Sequence, residues 1–375
     1  MAKQVRVGII GMGIGRPNAR AIAGNPRGCV VALCDLAQDR MKDFAKELPG
    51  PVKMYADYKQ MCRDQEVDAI FIGTPNQLHV PMGLEGVRNG KHVLITKPLA
   101  DSERAAAKLV REAEAAGVVN MMSLSTRFSR DCQYLGGLIH KGQLGELYYG
   151  RARSIRRSGI PAWNLGFIHK GGGAFRDMGV HVLDAAWWLL GRPQPVSVTG
   201  VAGAKFGPRG LGYWDYKAPP KKVYRQYASD DYAGGFIRFY GDIGLQVESF
   251  WASHQPEEFQ IELFGTEAGA RYSPLTIYRT ESGAPQDITL KMPPGPSAWD
   301  SIAAHFIGCI LDGVECEAPL RHGLVVQRMM EALLRSAETG REVRLREGAA
   351  ATARSRRTGR SRRTGRSRRT GRKRG

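Results

Sequence analysis

A short apolar strand running straight into a glycine-rich turn constrains this chain more than any other feature. Val5 to Ile10 forms the strand, Gly11, Met12, Gly13, Ile14, Gly15 and Arg16 form the turn, and Pro17 stands where a first helical residue belongs. Strand, tight loop and helix in that order put a helix N-terminus, with unpaired N–H groups and partial positive charge, beside a backbone that glycines leave bare for a pyrophosphate. The dinucleotide fingerprint sets its third glycine at position 16. Here the third is Gly15, so the packing glycine is displaced and Arg16 is placed to reach the pyrophosphate.

The next strand, Cys29 to Cys34, ends in Asp35, about twenty residues past the loop, where a carboxylate holds the adenosine ribose 2′-hydroxyl. That choice favours NAD over NADP, because a 2′-phosphate meets like charge there, although Arg40 on the following helix offers it partial compensation. The plainer reading is that Asp35 caps the next helix. Two more strands end in polar residues. Val67 to Gly73 runs into Thr74, Pro75 and Asn76, with His79 three further on, and His92 to Thr96 runs into Lys97 and Pro98. Ligands of open parallel sheets bind outside the carboxyl ends of the strands. Asn76 and His79 read equally well as ribose contacts or as a cap and a packed ring. Lys97 is poorly placed for a solvated surface role, and partial burial suits it to hydrogen-bond a reacting hydroxyl.

Gly171 to Asp184 (GGGAFRDMGVHVLD) sets a glycine hinge before a helix. Asp177 and His181, four apart, share a helical face that Asp184 continues, while Val180, Val182, Leu183, Trp187 and Trp188 anchor it. An acid–base pair on a buried helix needs a substrate beside it.

GIIGMGIG, TPNQLH, the Lys97-Pro98 pair and GGGAFRDMGVHVLD, in that order, resemble the Gfo/Idh/MocA family of sugar and inositol oxidoreductases over about residues 4 to 345. The resemblance implies that Lys97, Asp177 and His181 form the catalytic set. Thr96 stands where the family usually has Glu, and Arg16 where it has a small residue. The resemblance also favours a homodimer or homotetramer.

The expected fold is α/β, with an N-terminal Rossmann domain, a doubly wound parallel sheet, over residues 1–124. A C-terminal α+β domain with a largely antiparallel open sheet, residues 125–347, then carries substrate and oligomer contacts. Its strands include Leu147 to Ile155, Gly235 to Tyr240, Leu245 to Ala252 and Phe259 to Gly265. Helices are expected at Arg130 to His140, Ala298 to Leu311 and His322 to Thr339. Substrate candidates are Arg127, which touches substrate or orients the linker, and Trp163 and His169 ahead of the glycine hinge. Trp163 either stacks on a sugar ring or anchors its loop. The aromatic insertion Gly212 to Lys217 reads as a surface loop or subunit contact.

The formal charge of +19 is located rather than general. From Arg354 to Gly375 a tandem SRRTGR repeat carries twelve basic and no acidic residues, leaving 43 basic against 36 acidic elsewhere. Residues 348–375 therefore read as a disordered basic tail that either binds polyanions through phosphate neutralisation or is a functionless expansion. The six cysteines (Cys29, Cys34, Cys62, Cys132, Cys309, Cys316) show neither metal spacing nor a paired framework and read as reduced, buried thiols, with no metal expected. No apolar run reaches membrane length and no signal peptide is legible, so a cytoplasmic protein is expected.

The function these residues predict is hydride transfer between a carbinol carbon of a sugar, inositol or related polyol and NAD. His181 is the proton acceptor, Asp177 orients it, and Lys97 stabilises the alkoxide, the His181 and Lys97 roles being exchangeable. The alternatives are a glycosidase that recycles NAD in place and a non-catalytic NAD-binding regulator using its tail on nucleic acid.

Overall fold

A computed structural model of the chain describes residues 3–163 and 165–345; the SRRTGR tail lies outside them. The N-terminal third alternates strand and helix as β1 (Val5–Ile10), α1 (Gly15–Gly24), β2 (Gly28–Cys34), α2 (Gln38–Ala45), β3 (Lys53–Tyr55), α3 (Tyr58–Arg63), β4 (Ala69–Ile72), α4 (His79–Arg88), β5 (His92–Thr96), α5 (Glu103–Ala115) and β6 (Asn120–Ser123). All six strands are parallel, in the order β3-β2-β1-β4-β5-β6. Every residue of β4 is buried, as expected of a parallel strand covered by helices on both faces. In α5 the Ser102 hydroxyl accepts the Ala105 N–H, and Ala106, Leu109, Val110 and Ala113 make the inward stripe. The order reverses between β1 and β4, so the crevice between their C-terminal ends is where a ligand of such a sheet binds.

A connecting helix α6 (Arg130–His140) leads to β7 (Leu147–Ile155), the helix α7 (Val180–Leu189), β8 (Pro195–Gly203), the short helix α8 (Lys221–Tyr224), β9 (Tyr232–Phe239), β10 (Gly244–Phe250), β11 (Glu258–Gly265), β12 (Ala268–Arg271), β13 (Thr276–Glu281) and β14 (Ala284–Thr289). Helices α9 (Ala298–Leu311) and α10 (Leu320–Thr339) and a last strand β15 (Val343–Arg344) follow. The second sheet has nine strands in the order β14-β13-β12-β11-β7-β10-β9-β8-β15, antiparallel except for the β7–β10 pair. Helices α7 and α10 cover one face. The opposite face carries Tyr149, Phe236 and Phe264 in mutual ring contact, Tyr232 stacked with Phe250, and ion pairs of Arg153 with Glu258 and Glu262. Among the described residues no helix is long and apolar enough to cross a membrane.

The two late helices divide their work. Ser297 and Asp300 form a capping box that starts α9, which packs on α1 and places Ile302, Phe306 and Ile307 in the first core. Helix α10 buries Val326, Met329, Met330 and Leu333 in the second. Where the chain crosses between the sheets lies Arg127, fully buried: its Nε donates to Asp184 Oδ2 at 3.0 Å, its Nη2 to Asp184 Oδ1, and its Nη1 to the Glu317 carbonyl at 2.7 Å. Arg127 thus orients the linker; buried entirely, it offers no substrate contact, and that half of the sequence reading is corrected. Burial pushes the Asp184 carboxyl up, and the Arg127 guanidinium opposes it. Replacing Arg127 with Met strands the carboxylate and should cost about 3–5 kcal/mol in urea unfolding, whereas the Arg127→Met, Asp184→Leu double variant should recover most of that loss. Equal loss in single and double variants would remove the pair from its role.

Candidate functional site

The glycine turn is shaped for close approach of something other than side chain. Gly11 has φ +92°, and a Cβ there would stand 2.6 Å from the Gly73 carbonyl oxygen. Above Gly13 a Cβ would meet nothing within 4 Å. Helix α1 begins at Gly15, two residues before Pro17, and no side chain caps it. The loop therefore has open space over Gly13 and an uncapped helix N-terminus directed at it, which fits a pyrophosphate. Met12 is buried and Ile14 half-exposed at the loop's two sides. Asp35 closes the turn, its Oδ2 accepting the Met12 N–H at 2.6 Å and its Oδ1 the Ala37 N–H at 2.8 Å. The Arg16 guanidinium turns away instead, over the Phe44 ring and towards the Arg40 carbonyl. Its side chain does not reach for the pyrophosphate as expected, because α2 supplies an aromatic face and an acceptor nearer by.

At the ends of β4 and β5, Thr74, Pro75 and Asn76 line the approach to the second sheet, and the Asn76 amide donates to the Gly171 carbonyl at 3.4 Å. His79 is corrected. It is fully buried with its Nδ1 2.8 Å from the Pro98 carbonyl and its Nε2 2.8 Å from the Thr74 carbonyl, so it ties the two strand-end loops together and has no surface for a ribose. Thr96 is also buried. Lys97, one residue on, projects from the sheet.

Ahead of α7 the backbone makes a π-helical turn over Phe175–Gly179. Two of the three glycines before it are packed rather than hinged: a Cβ at Gly172 would collide with the Phe167 carbonyl, and Gly173 has φ +111° and no room for a Cβ beside the Asp230 carboxylate. Asp230 Oδ2 accepts the Phe175 N–H at 2.9 Å, and burial pushes its carboxyl up to about 6. The widened turn carries Asp177 to the first sheet. Lys97 Nζ donates to Asp177 Oδ1 at 2.8 Å and to the Asp177 carbonyl at 2.6 Å, and Trp251 Nε1 donates to Asp177 Oδ2 at 3.0 Å. Burial opposes ionisation of Asp177, but the Lys97 ammonium and its hydrogen bond, with His181 and Trp251, hold the carboxyl below its usual range. His181, first turn of α7, is pushed down to about 3 by burial and then by the Lys97 charge, which Asp177 only partly offsets; Arg156 adds to the fall. Three ionisable groups meet here, and the imidazole is the neutral one.

Lys97 is thus brought from 80 residues away to the neighbouring pair of Asp177 and His181. The carboxylate engages the lysine, however, and no hydrogen bond joins it to His181. Trp163 is 67% exposed and meets Phe167 and Trp214 edge-on, with Arg156 stacked on the Trp214 ring at 5.1 Å. The aromatic insertion therefore packs towards the site's mouth. His169 is half-buried in the loop before Gly171. Trp251, Arg156 and Asp230 escaped the sequence reading; only for Trp251 was there a signal, as the inward position of an alternating strand.

A family model described as "Oxidoreductase family, NAD-binding Rossmann fold" matches residues 5–124, and one for the GFO/IDH/MocA C-terminal domain matches residues 132–271. The chain belongs to the GFO/IDH/MocA family. It is 29% identical over 325 residues to D-glucoside 3-dehydrogenase of Escherichia coli (strain K12), covering 84% of this chain and 90% of the relative. It is 26% identical over 323 residues to scyllo-inositol 2-dehydrogenase (NAD(+)) of Bacillus subtilis (strain 168), covering 84% and 88%. A solved levoglucosan dehydrogenase, in complex with NADH and levoglucosan, shares the fold with a TM-score of 0.79 at 19% identity, over 92% of this chain and 100% of that one. Membership makes this protein an oxidoreductase with an NAD site, and the open space over Gly13 has room for a pyrophosphate.

Gly13→Ala should leave thermal stability unchanged or slightly raised, since only open space receives the methyl group, yet weaken NAD about tenfold or more in fluorescence titration, roughly 1.4 kcal/mol. Gly11→Ala should lower both stability and NAD affinity, because its Cβ meets backbone. Unaltered NAD binding by Gly13→Ala would move the pyrophosphate elsewhere.

Proposed function

We propose that this protein transfers a hydride between a carbinol carbon of a sugar, inositol or related polyol and NAD. The observation that carries the reading is the convergence of Lys97, Asp177 and a neutral His181 where the strand ends of the first sheet face α7. Relatives named for glucoside and inositol substrates support the class. NAD, when bound, supplies the hydride acceptor. The chain's own residues handle the proton. Neutral His181 accepts it from the reacting hydroxyl as general base. Lys97 has three N–H donors and spends two on Asp177, leaving the third for the substrate oxygen, where its charge stabilises the developing alkoxide. Asp177 acts by aiming Lys97, in place of the expected role of orienting His181. Trp163 and His169 flank the substrate, and Asp35 disfavours a 2′-phosphate, so NADP binds more weakly.

The test is a library of sugars and polyols with NAD, read by NADH absorbance. With a substrate in hand, His181→Ala should lower kcat by about 100- to 10,000-fold, Lys97→Met should lower it comparably, and both should bind NAD normally. Activity near that of the wild type in both variants would defeat the assignment.

The pH profile gives an independent check. Because the imidazole's folded value, about 3, lies below its free value, it stays unprotonated as pH falls through the ordinary histidine range. The acidic limb of kcat/KM for oxidation due to His181 should therefore lie below about pH 5, and Asp177→Asn, which removes a charge that raises it, should move it lower still. A His181-dependent limb near pH 6.5 would contradict this.

The aromatic and ion-paired open face of the second sheet serves as the surface for a second copy of the chain. Phe264→Glu should convert a dimer into a monomer by light scattering with circular dichroism unchanged; a monomeric wild type would dismiss the surface.

A further inference from the structure

Outside the site, the C-terminal half of α9 and the loop leading to α10 gather three soft donors. His305 and Cys309, four residues apart, share one face of α9, and Cys316 returns to them from the loop. The His305, Cys309 and Cys316 ligand atoms all lie within 4.8 Å of one another, and Cys309 Sγ is 3.5 Å from His305 Nε2. Ligand atoms around a tetrahedral zinc stand about 3.5–3.8 Å apart, so the cluster needs to close by little more than about an ångström at most. The sequence reading passed over it because it weighed the cysteines by their mutual spacing and left His305 out.

The imidazole is already in the form that a metal takes. His305 Nε2 accepts the Glu317 N–H at 2.9 Å, which puts the ring proton on Nδ1 and leaves Nε2, 3.5 Å from Cys309 Sγ, with its one lone pair held by that N–H until an ion takes it. Cys309 is buried, whereas His305 and Cys316 are half-buried, leaving a path from solvent. Neither sulfur is committed to a disulfide.

We propose that His305, Cys309 and Cys316 bind one Zn²⁺ ion per chain, with water in the fourth position. Both thiols are deprotonated on binding and their protons released to solvent. As the ion takes the Nε2 lone pair, the Glu317 N–H, adjacent to Cys316, turns to a thiolate sulfur as an outer hydrogen bond. The site is structural. It would fasten the end of α9 to the loop whose Glu317 carbonyl accepts from Arg127 and whose Ala318 carbonyl accepts the Met122 N–H of β6.

The full chain, purified in reductant without chelator, is assayed for zinc by mass spectrometry and titrated with Co²⁺. Zinc near one per chain is expected, as are thiolate charge-transfer and tetrahedral d–d bands with Co²⁺, and His305→Gln, Cys309→Ser and Cys316→Ser should each weaken binding ~100-fold or more. Circular dichroism and NAD titration verify that the variants fold. Where one does not, the wild type still decides: chelator should lower its melting temperature and Zn²⁺ restore it. A folded wild type with all thiols free that takes up neither metal overturns the proposal. So does a Cys309–Cys316 disulfide found in unreduced, metal-free protein.

Discussion

The buried pair of Arg127 and Asp184 is the constraint around which the two halves are arranged. Neither charge touches water, and such a pair is tolerable only when nearly every donor and lone pair has a partner. Arg127 meets that condition by drawing together three separate stretches: its own linker after β6, the middle of α7, and the Glu317 carbonyl between α9 and α10. With α7 fixed in its middle, the turn preceding it has little freedom. That is what presents Asp177 to Lys97 across the boundary between the sheets.

The chemistry of the site follows from which charge has a counter-charge. Lys97 and Asp177 form an ion pair, and the lysine holds the carboxyl below its usual range despite its burial. His181 has no such partner, and its protonation would add a second positive charge beside Lys97 in a desolvated position. The imidazole is accordingly held as a base by its surroundings. Trp251 completes the arrangement by donating to the other carboxylate oxygen, so both Asp177 oxygens are engaged, one by Lys97 and one by the indole. A π-helical turn, common at functional sites, gives Asp177 this reach.

One physical cause decides several readings that the sequence left between ligand contact and internal packing. Arg16, His79 and Arg127 are each long or two-ended polar side chains beside a cleft, and from sequence each is a plausible ligand contact. All three instead satisfy internal carbonyls, carboxylates or aromatic faces. Buried polar atoms must find partners, and a nearer protein acceptor outcompetes a ligand. The glycines at 171–173 were read as freedom, but Gly173 is there because the Asp230 carboxylate fills the space of a Cβ.

The sequence by itself determined whatever depends on local periodicity and on punctuation. Continuous apolar runs marked the parallel strands, alternation marked β7, β9, β10 and β11, and the bounds of α6 and α9 fall where the sequence placed them. The glycine spacing and Asp35 marked an NAD crevice, since those features lie within one strand-turn-helix unit. Lys97, Asp177 and His181 were nameable as a set through resemblance, but their pairing was not. The tertiary structure alone decided that Asp177 bonds to Lys97, that Trp251 donates to the same carboxylate, that β7 and β10 run parallel, and that α9 returns to the first core beside a His–Cys–Cys cluster. Apart from the cluster itself, which spans residues 305–316, those are contacts between residues tens to hundreds of positions apart, and no local preference encodes which of several compatible partners a buried group will meet.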